Sequence, residues 1–438
     1  MDLASYQTLR VAASDLNGQM RGKRVPGSYA PKLAEGAVRM PYSALNVDIF
    51  GYDIEASPLV FDSGDADGIL LPSDRGPTPT PWLGTPQPLV PMEMFYTDGR
   101  PFEVDPRHAL KAVLARYAAR GWEVMAATEL EFTLVDDSEE VLQIVHNPQT
   151  GRRVQTAAVL SLAQLDAFDP FFSELYDACD AMGIPAETTT SESGYGQFEI
   201  TLNHQSALRA ADDTWLFKTL IKGMARKHGF AATFMAKPFE DDAGNGMHMH
   251  FSVLDAEGQN VFDDGGEAGT EALKQAVAGC IAAMPASTLI FAPHANSYRR
   301  LTPGMHAPTA VCWGYDNRTV ALRIPSGSPK ARRIEHRVAG GDINPYLVFA
   351  VVLGAAMTGI DHRMTPPAPL TGNAYNQPCP QLAPDWESAI DQFETDPLMA
   401  EIFSDVLISN LVLTKRQELR LMAQIPQEHH WKTYLNTV

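Results

Sequence analysis

The sequence predicts an α+β protein, and three observations carry that prediction. Four segments alternate polar and apolar side chains with a period of two, as half-buried strands do: "TELEFTLV" (128–135), "GYGQFEITL" (194–202), "GNGMHMHFSV" (244–253) and "RRIEHRVAG" (332–340). Helical patterns lie between them, at about 170–182, 208–229 and 269–284. The two kinds of segment do not follow the regular β-α-β alternation of a parallel sheet.

Taken in order, residues 9–25 read as two short strands around a turn at Asn17-Gly18. The proline-dense stretch 72–91 is a loop with room for one strand. A helix then opens at "EVDPRHALKAVLARYAARG", with Asp105 as N-cap, Pro106 at the first helical position and Gly121 closing the run. The domain boundary is placed just before it, dividing 1–103 from 104–438. A second proline-rich loop (365–385) precedes a helical C-terminus. The apolar stretch Tyr346 to Ile360 falls short of the roughly 20 residues a bilayer span needs and is read as a buried helix.

With 438 residues, 45% of them hydrophobic, the chain can bury a large core in two domains. A formal charge of −19 argues against a nucleic-acid partner. The four cysteines form no C-x-x-C pair, and the N-terminus lacks the basic start and apolar run of a signal peptide. These features point to a reduced, cytoplasmic protein with no disulfide framework and no membrane role.

Acids on one face of a single strand ordinarily meet water, and a lone histidine is more often packed than a ligand. Four such strands in one antiparallel sheet would instead gather Glu129, Glu131, Glu199, His248 and Glu335 on the wall of a cavity. Mostly carboxylate oxygen with one imidazole is a hard donor set, suited to Mg²⁺ or Mn²⁺ rather than structural zinc. From Arg299 to Arg337 the chain carries eight basic residues against two acidic ones, opposite in sign to the whole. Divalent metal plus converging guanidinium groups suits phosphoryl transfer, where catalysis is positioning and charge neutralisation. Neither G-x-x-x-x-G-K-S/T nor G-x-G-x-x-G occurs, so a P-loop or kinase-type site is excluded.

Together, "DLNGQMRGKRVP" (15–26), "ELEF" (129–132), "ESGYGQFEI" (192–200), "FMAKPFEDDAGNGMHMHFS" (234–252), "NSYRRLTPG" (296–304), "NRTVALRIP" (317–325) and "SPKARRIEHR" (328–337) resemble the glutamine synthetase family over nearly the whole length. The resemblance implies a small N-terminal β-grasp domain and a larger catalytic domain with a curved antiparallel sheet flanked by helices. It implies ATP as co-substrate and two to three Mg²⁺ or Mn²⁺ ions. Glu131, Glu192 and Glu199 match the ligands of one metal, and Glu129, His248 and Glu335 those of the other. His250 and Ser252 fall at the nucleotide end with Arg323, Lys330 and Arg333. Gly244, Arg300 and Arg337 fall where the family holds glutamate, and Arg318 where it stabilises the transferring phosphoryl group. Asp53, or as second choice Asp48, matches the aspartate that helps deprotonate the nucleophile from a neighbouring subunit. A dodecamer of two stacked hexameric rings is implied with it. The reaction implied is phosphorylation of the glutamate γ-carboxylate by ATP, then amide formation with an amine.

One departure bears on the amine. Ammonia-using members carry a glutamate on the flap after the R-L-x-P-G motif, and here "RRLTPGMHAP" places His306 there. An imidazole is a poorer partner for an ammonium ion. The run "CWGYDNRTVALRIPSGSPKARRIEHRVAGGDINPYL" resembles the γ-glutamylpolyamine branch, which joins glutamate to putrescine or related amines. No N-L-Y-D adenylylation loop is evident, since residues 372–376 read "GNAYN", so regulation by that modification is not expected. A ligase acting on an organic primary amine or diamine is therefore the leading expectation. Glutamine synthetase using ammonium, a guanidino-kinase-like phosphotransferase and an inactive sensor relative stand as alternatives. His429 and His430 are read as surface or packing residues.

Overall fold

Two sheets organise the chain, of which the computed structural model describes residues 1–60, 62–302 and 307–438. The first sheet contains β1 (Thr8–Ser14), β2 (Met20–Pro26), β3 (Val38–Pro41), β4 (Asp67–Pro72), β5 (Thr78–Pro79) and β6 (Pro88–Phe95). Its order is β2-β1-β6-β4-β3, with β5 on β6. β1 and β6 run parallel at its centre, and the other neighbours are antiparallel, which is a β-grasp arrangement. Asp15 closes the turn between β1 and β2, its Oδ1 accepting from the backbone N–H of Asn17 and Gln19 at 2.9 and 2.8 Å. The proline-dense stretch supplies two strands where one was expected: short β5, and β6 at its end.

Helix α1 (Pro106–Ala118) begins as its sequence predicts: Asp105 Oδ1 accepts from Arg107 N at 2.9 Å. The remaining helices are α2 (Leu162–Ala167), α3 (Asp169–Met182), α4 (Ala207–Lys227), α5 (Glu271–Phe291), α6 (Pro345–Asp361), α7 (Trp386–Thr395), α8 (Pro397–Ile402), α9 (Asp405–Met422) and α10 (His430–Thr437). The expectation that one helix ends near residue 284 is corrected, because α5 continues through Pro285 to Phe291. Burial all round this helix erases the amphipathic signal at its C-terminal half, and the proline reads as a break. α5 is long and apolar enough to cross a membrane by length and composition, yet most of it is buried in this fold. Residues Pro345–Ile360 of α6 are likewise buried. The two helices meet at Gly279 and Gly359, where an added Cβ would lie 2.0 Å from Ala355 O and 2.1 Å from Gln275 O.

The second sheet contains β7 (Glu123–Asp136), β8 (Gln143–Ile144), β9 (Ala186–Ser191), β10 (Gln197–Ser206), β11 (Ala231–Thr233), β12 (Met247–Leu254), β13 (Trp313–Tyr315), β14 (Leu322–Ile324) and β15 (Ile334–His336). Its order is β13-β14-β15-β12-β7-β10-β9, with β8 and β11 on β7. Among the described residues of this sheet, only β13 and β14 pair in parallel. Register shifts at Leu202 bend β10 against both neighbours, which helps curve the sheet. The apolar residues of the alternating segments, including Leu130, Phe132, Phe198, Ile200, Met247, Met249 and Phe251, are buried in the main core. Their polar alternates are left on the opposite face.

Candidate active site

Strand register assembles the polar face. Directly paired residues of antiparallel strands share a face and lie about 5 Å apart. Glu199 of β10 pairs with Glu131 of β7. Glu129 of β7 pairs with His248 of β12, and His250 of β12 pairs with Glu335 of β15, which in turn pairs with Arg323 of β14. Four carboxylates, two imidazoles and a guanidinium group thereby form a continuous patch. A slip of one residue in any ladder would turn that strand's contribution into the core.

Hydrogen bonds divide this patch in two. On the β12 side, Glu129 accepts from His248 Nδ1 at 2.9 Å and His250 Nε2 at 3.0 Å. Burial works to raise the Glu129 carboxyl, but these bonds outweigh it and hold it well below the usual carboxylate range. Glu335, 1% exposed, accepts from Arg323 Nη1 at 2.9 Å and from Arg337 Nη1. Burial opposes its ionisation too, yet the Arg337 charge and its neighbours keep it low. On the β10 side the balance reverses. Burial, followed by the charges of Glu129, Glu131 and Glu192, pushes Glu199 up to about 9. Burial and the Glu131 charge push Glu192 up to about 7, with Arg318 near enough to oppose them.

Two donor sets have ligand atoms within 4.8 Å of one another: Glu129, Glu199 and His248, and Glu129, His250 and Glu335. Oxygen-rich sets of this kind fit a hard divalent cation, and on the β10 side burial and the crowding of carboxylates outweigh the charges of Arg318 and Arg337 that oppose them. The sets are grouped differently from the sequence expectation, with Glu131 and Glu192 outside both. Glu131 Oε2 instead accepts from Gly246 N at 2.5 Å. His250 joins the metal-capable donors, a possibility its position two residues from His248 on one strand face already carried. The two histidines differ, however. His250 Nδ1 accepts from Arg333 Nε at 3.3 Å while its Nε2 faces Glu129, so both nitrogens are engaged. His248 Nε2 has no hydrogen-bond partner among the described residues and is free to bind a cation.

The other sequence candidates lie around this patch. His250, Ser252, Lys330 and Arg333 line a cavity of about 520 Å³ together with Glu129. Arg323 lies outside its lining, held between Glu335 and Asp316, whose Oδ1 accepts at 2.7 Å. Gly244 adjoins Arg300, where an added Cβ would come within 3.0 Å of Arg300 Cγ. Arg300 is 4% exposed and donates to Val338 O at 2.8 Å. The turn carrying Glu192 is tied to the Gly244 loop by Gln197, whose Nε2 donates to Gly244 O at 2.9 Å while its Oε1 accepts from Gly194 N at 2.8 Å. In the sequence Gln197 is one polar residue of the alternating segment 194–202, and its inward position shows in the structure alone. Arg318 is exposed on the turn between β13 and β14. Asp53 is exposed, whereas Asp48 is 0% exposed and committed to its own loop through Phe50 N and Tyr52 N. His306 lies outside the described residues.

The family follows from comparison. Residues 103–434 match the model "Glutamine synthetase, catalytic domain". The chain belongs to the glutamine synthetase family and is a glutamate–amine ligase, which sets aside the phosphotransferase and sensor alternatives. It is 39% identical over 377 residues to γ-glutamylputrescine synthetase PuuA of Escherichia coli, covering 85% of this chain and 79% of that one. It is 31% identical over 419 residues to γ-glutamylethanolamide synthetase GlnA4 of Streptomyces coelicolor, covering 94% and 89%. A solved GmaS/ADP complex superposes with a TM-score of 0.85 at 27% identity, covering 98% of this chain and 99% of that one. The family uses ATP and divalent metals, and the carboxylate–histidine patch is the candidate place for them.

Proposed function

We propose that this ligase joins the γ-carboxylate of glutamate to an organic primary amine or diamine such as putrescine. The observation that carries this reading is the 39% identity to a γ-glutamylputrescine synthetase, supported by His306 in place of the flap glutamate. Glu131, Glu192 and Glu199 hold one divalent cation, and Glu129, His248 and Glu335 a second; both are Mg²⁺ or Mn²⁺, with room in the family for a third. The free Nε2 of His248 and the engaged nitrogens of His250 support choosing His248 as the ligand. Such ions, when bound, neutralise phosphate oxygens and polarise the transferring group.

His250, Ser252, Lys330 and Arg333 line the cavity that receives the ATP phosphates, with Arg323 behind them. Gly244, Arg300 and Arg337 hold glutamate with its γ-carboxylate toward the nucleotide. An oxygen of that carboxylate takes the γ-phosphoryl group, releasing ADP and forming γ-glutamyl phosphate. Arg318, close to Glu192, balances the charge on the transferring phosphoryl. The amine nitrogen attacks the acyl carbon after losing its extra proton, the carbon–oxygen bond breaks, and phosphate leaves, taking up the second proton that the nitrogen sheds as the amide forms. Asp53, exposed and unpaired among the described residues, receives the extra proton of the amine in a neighbouring subunit's site. This assignment supports a ring assembly, and the family dodecamer of two hexamers is the form proposed. Four free cysteines accord with a cytoplasmic setting.

The test is phosphate release from ATP with glutamate and Mg²⁺, offering ammonium, methylamine, ethanolamine, putrescine or spermidine, with mass detection of the amide. Preference for putrescine or another organic amine of about tenfold or more is expected. Equal or faster turnover with ammonium would make the protein a glutamine synthetase with an altered flap.

A further inference from the structure

Gln417 lies on α9, remote in sequence from the loop that carries Asp53 and from every motif of the sheet. Its side chain is 5% exposed, and all its hydrogen bonds reach one place. Nε2 donates to Asp48 Oδ2 at 2.8 Å and to the carbonyl of Asp53 at 2.9 Å, while Oε1 accepts from Glu55 N at 3.0 Å. Asp48 in turn accepts through Oδ1 from Phe50 N and Tyr52 N, both at 2.9 Å. Residues 48–55 are thus knotted around two buried side chains. The rest of the same α9 face holds the flanks: Asn46 Nδ2 donates to Thr414 Oγ1 at 2.8 Å, and Ser57 Oγ to Asn410 Oδ1 at 2.9 Å. Positions 410, 414 and 417 follow helical spacing, so one helix face clasps the whole segment. Outward from this clasp stand Asp53 and Tyr52, the latter 65% exposed, and the Asp53 carboxylate makes no hydrogen bond or ion pair among the described residues.

A buried primary amide that directs both N–H groups and its carbonyl to the backbone and anchor of one loop removes that loop's freedom. We propose that Gln417 is a positioning residue, which fixes the 48–55 loop so that Asp53 is presented to the amine. This rests on the reading of Asp53 as the proton acceptor. The division of labour between two aspartates follows from it: Asp48 with Gln417 forms the anchor, and Asp53 is the group displayed.

The test uses the full chain with Gln417→Met, which keeps the side chain's length and removes all three hydrogen bonds, beside Asp53→Asn and the double variant. Hydrogen exchange over residues 48–55 should quicken in Q417M. At pH 7 its kcat/KM for putrescine should fall about tenfold with KM for ATP and glutamate unchanged. Turnover with hydroxylamine, a nucleophile already largely uncharged at that pH, should hold. The double variant should be no slower than D53N. Equal losses with putrescine and hydroxylamine would overturn the proposal by showing a general structural lesion, and unchanged exchange over 48–55 would overturn it by showing that the loop needs no clasp. Full putrescine turnover in D53N would instead remove the Asp53 reading and the catalytic consequence with it, while the exchange data separately report whether Gln417 holds the loop.

Discussion

The two halves of the polar face hold the same residue type in opposite electrostatic states. At the β12–β15 side, each glutamate has its charge matched inside the protein: Glu129 by hydrogen bonds from His248 and His250, and Glu335 by Arg323 and Arg337. At the β10 side, Glu199 and Glu192 face other carboxylates and are pushed up to about 9 and about 7. The matched half has its carboxylate charges balanced by the protein's own groups before any cation arrives. The unmatched half stores repulsion that an incoming cation relieves, so metal affinity should be concentrated there. Burial is shared by both halves, so the neighbours across the strands account for the difference.

The comparison can be broken most sharply at Glu199. Glu199→Gln should lower ligase turnover by about a thousandfold through lost metal binding, yet leave the metal-free protein as stable as the parent or more so, since a repelled carboxylate is gone. A melting curve without metal beside a phosphate-release assay tests both halves of that statement; marked destabilisation would show that Glu199 was already compensated.

Glu335→Ala should behave in the opposite way. Removing the carboxylate strands Arg323 and Arg337 without their partner, and the metal-free fold should lose about 3 kcal/mol. Denaturant unfolding measures it, and a loss below about 1 kcal/mol would contradict the matched state inferred for that side.

The smallest effect sharpens the contrast through pH. Because Glu199 is raised from its unfolded value, the metal-free folded state holds more protons than the unfolded state between the ordinary carboxylate pKa and about 9. Its contribution to stability is therefore full below that ordinary value and is lost as pH rises through about 9. Cation binding must expel this proton, so Mg²⁺ or Mn²⁺ affinity should rise about tenfold per pH unit from pH 7 towards 9 and then level. Titration calorimetry at several pH values checks the slope, and an affinity that does not change between pH 7 and 9 would show that Glu199 is already ionised in the metal-free protein.

The fold class and much of the candidate site were legible because period-two alternation is a local property. Residues 128–135 and 244–253 show which side chains share a strand face without reference to anything distant. The helix start at Asp105-Pro106 is legible for the same reason, being written in adjacent residues. Where burial is complete, as in the second half of α5, local pattern vanishes and the boundary was misplaced.

By itself, then, the sequence determined the strands, their polar faces and the family motifs, since these depend on spacing within about ten residues. Only the tertiary structure decided what those faces do to one another. Register set Glu131 against Glu199 and Glu129 against His248, and this gave one group of carboxylates charge partners and left the other facing like charge. Packing of α9 brought Gln417 to the Asp53 loop across more than half the chain. Charge interactions and buried hydrogen bonds depend on distances in space, and residues far apart in sequence acquire those distances only when the chain folds.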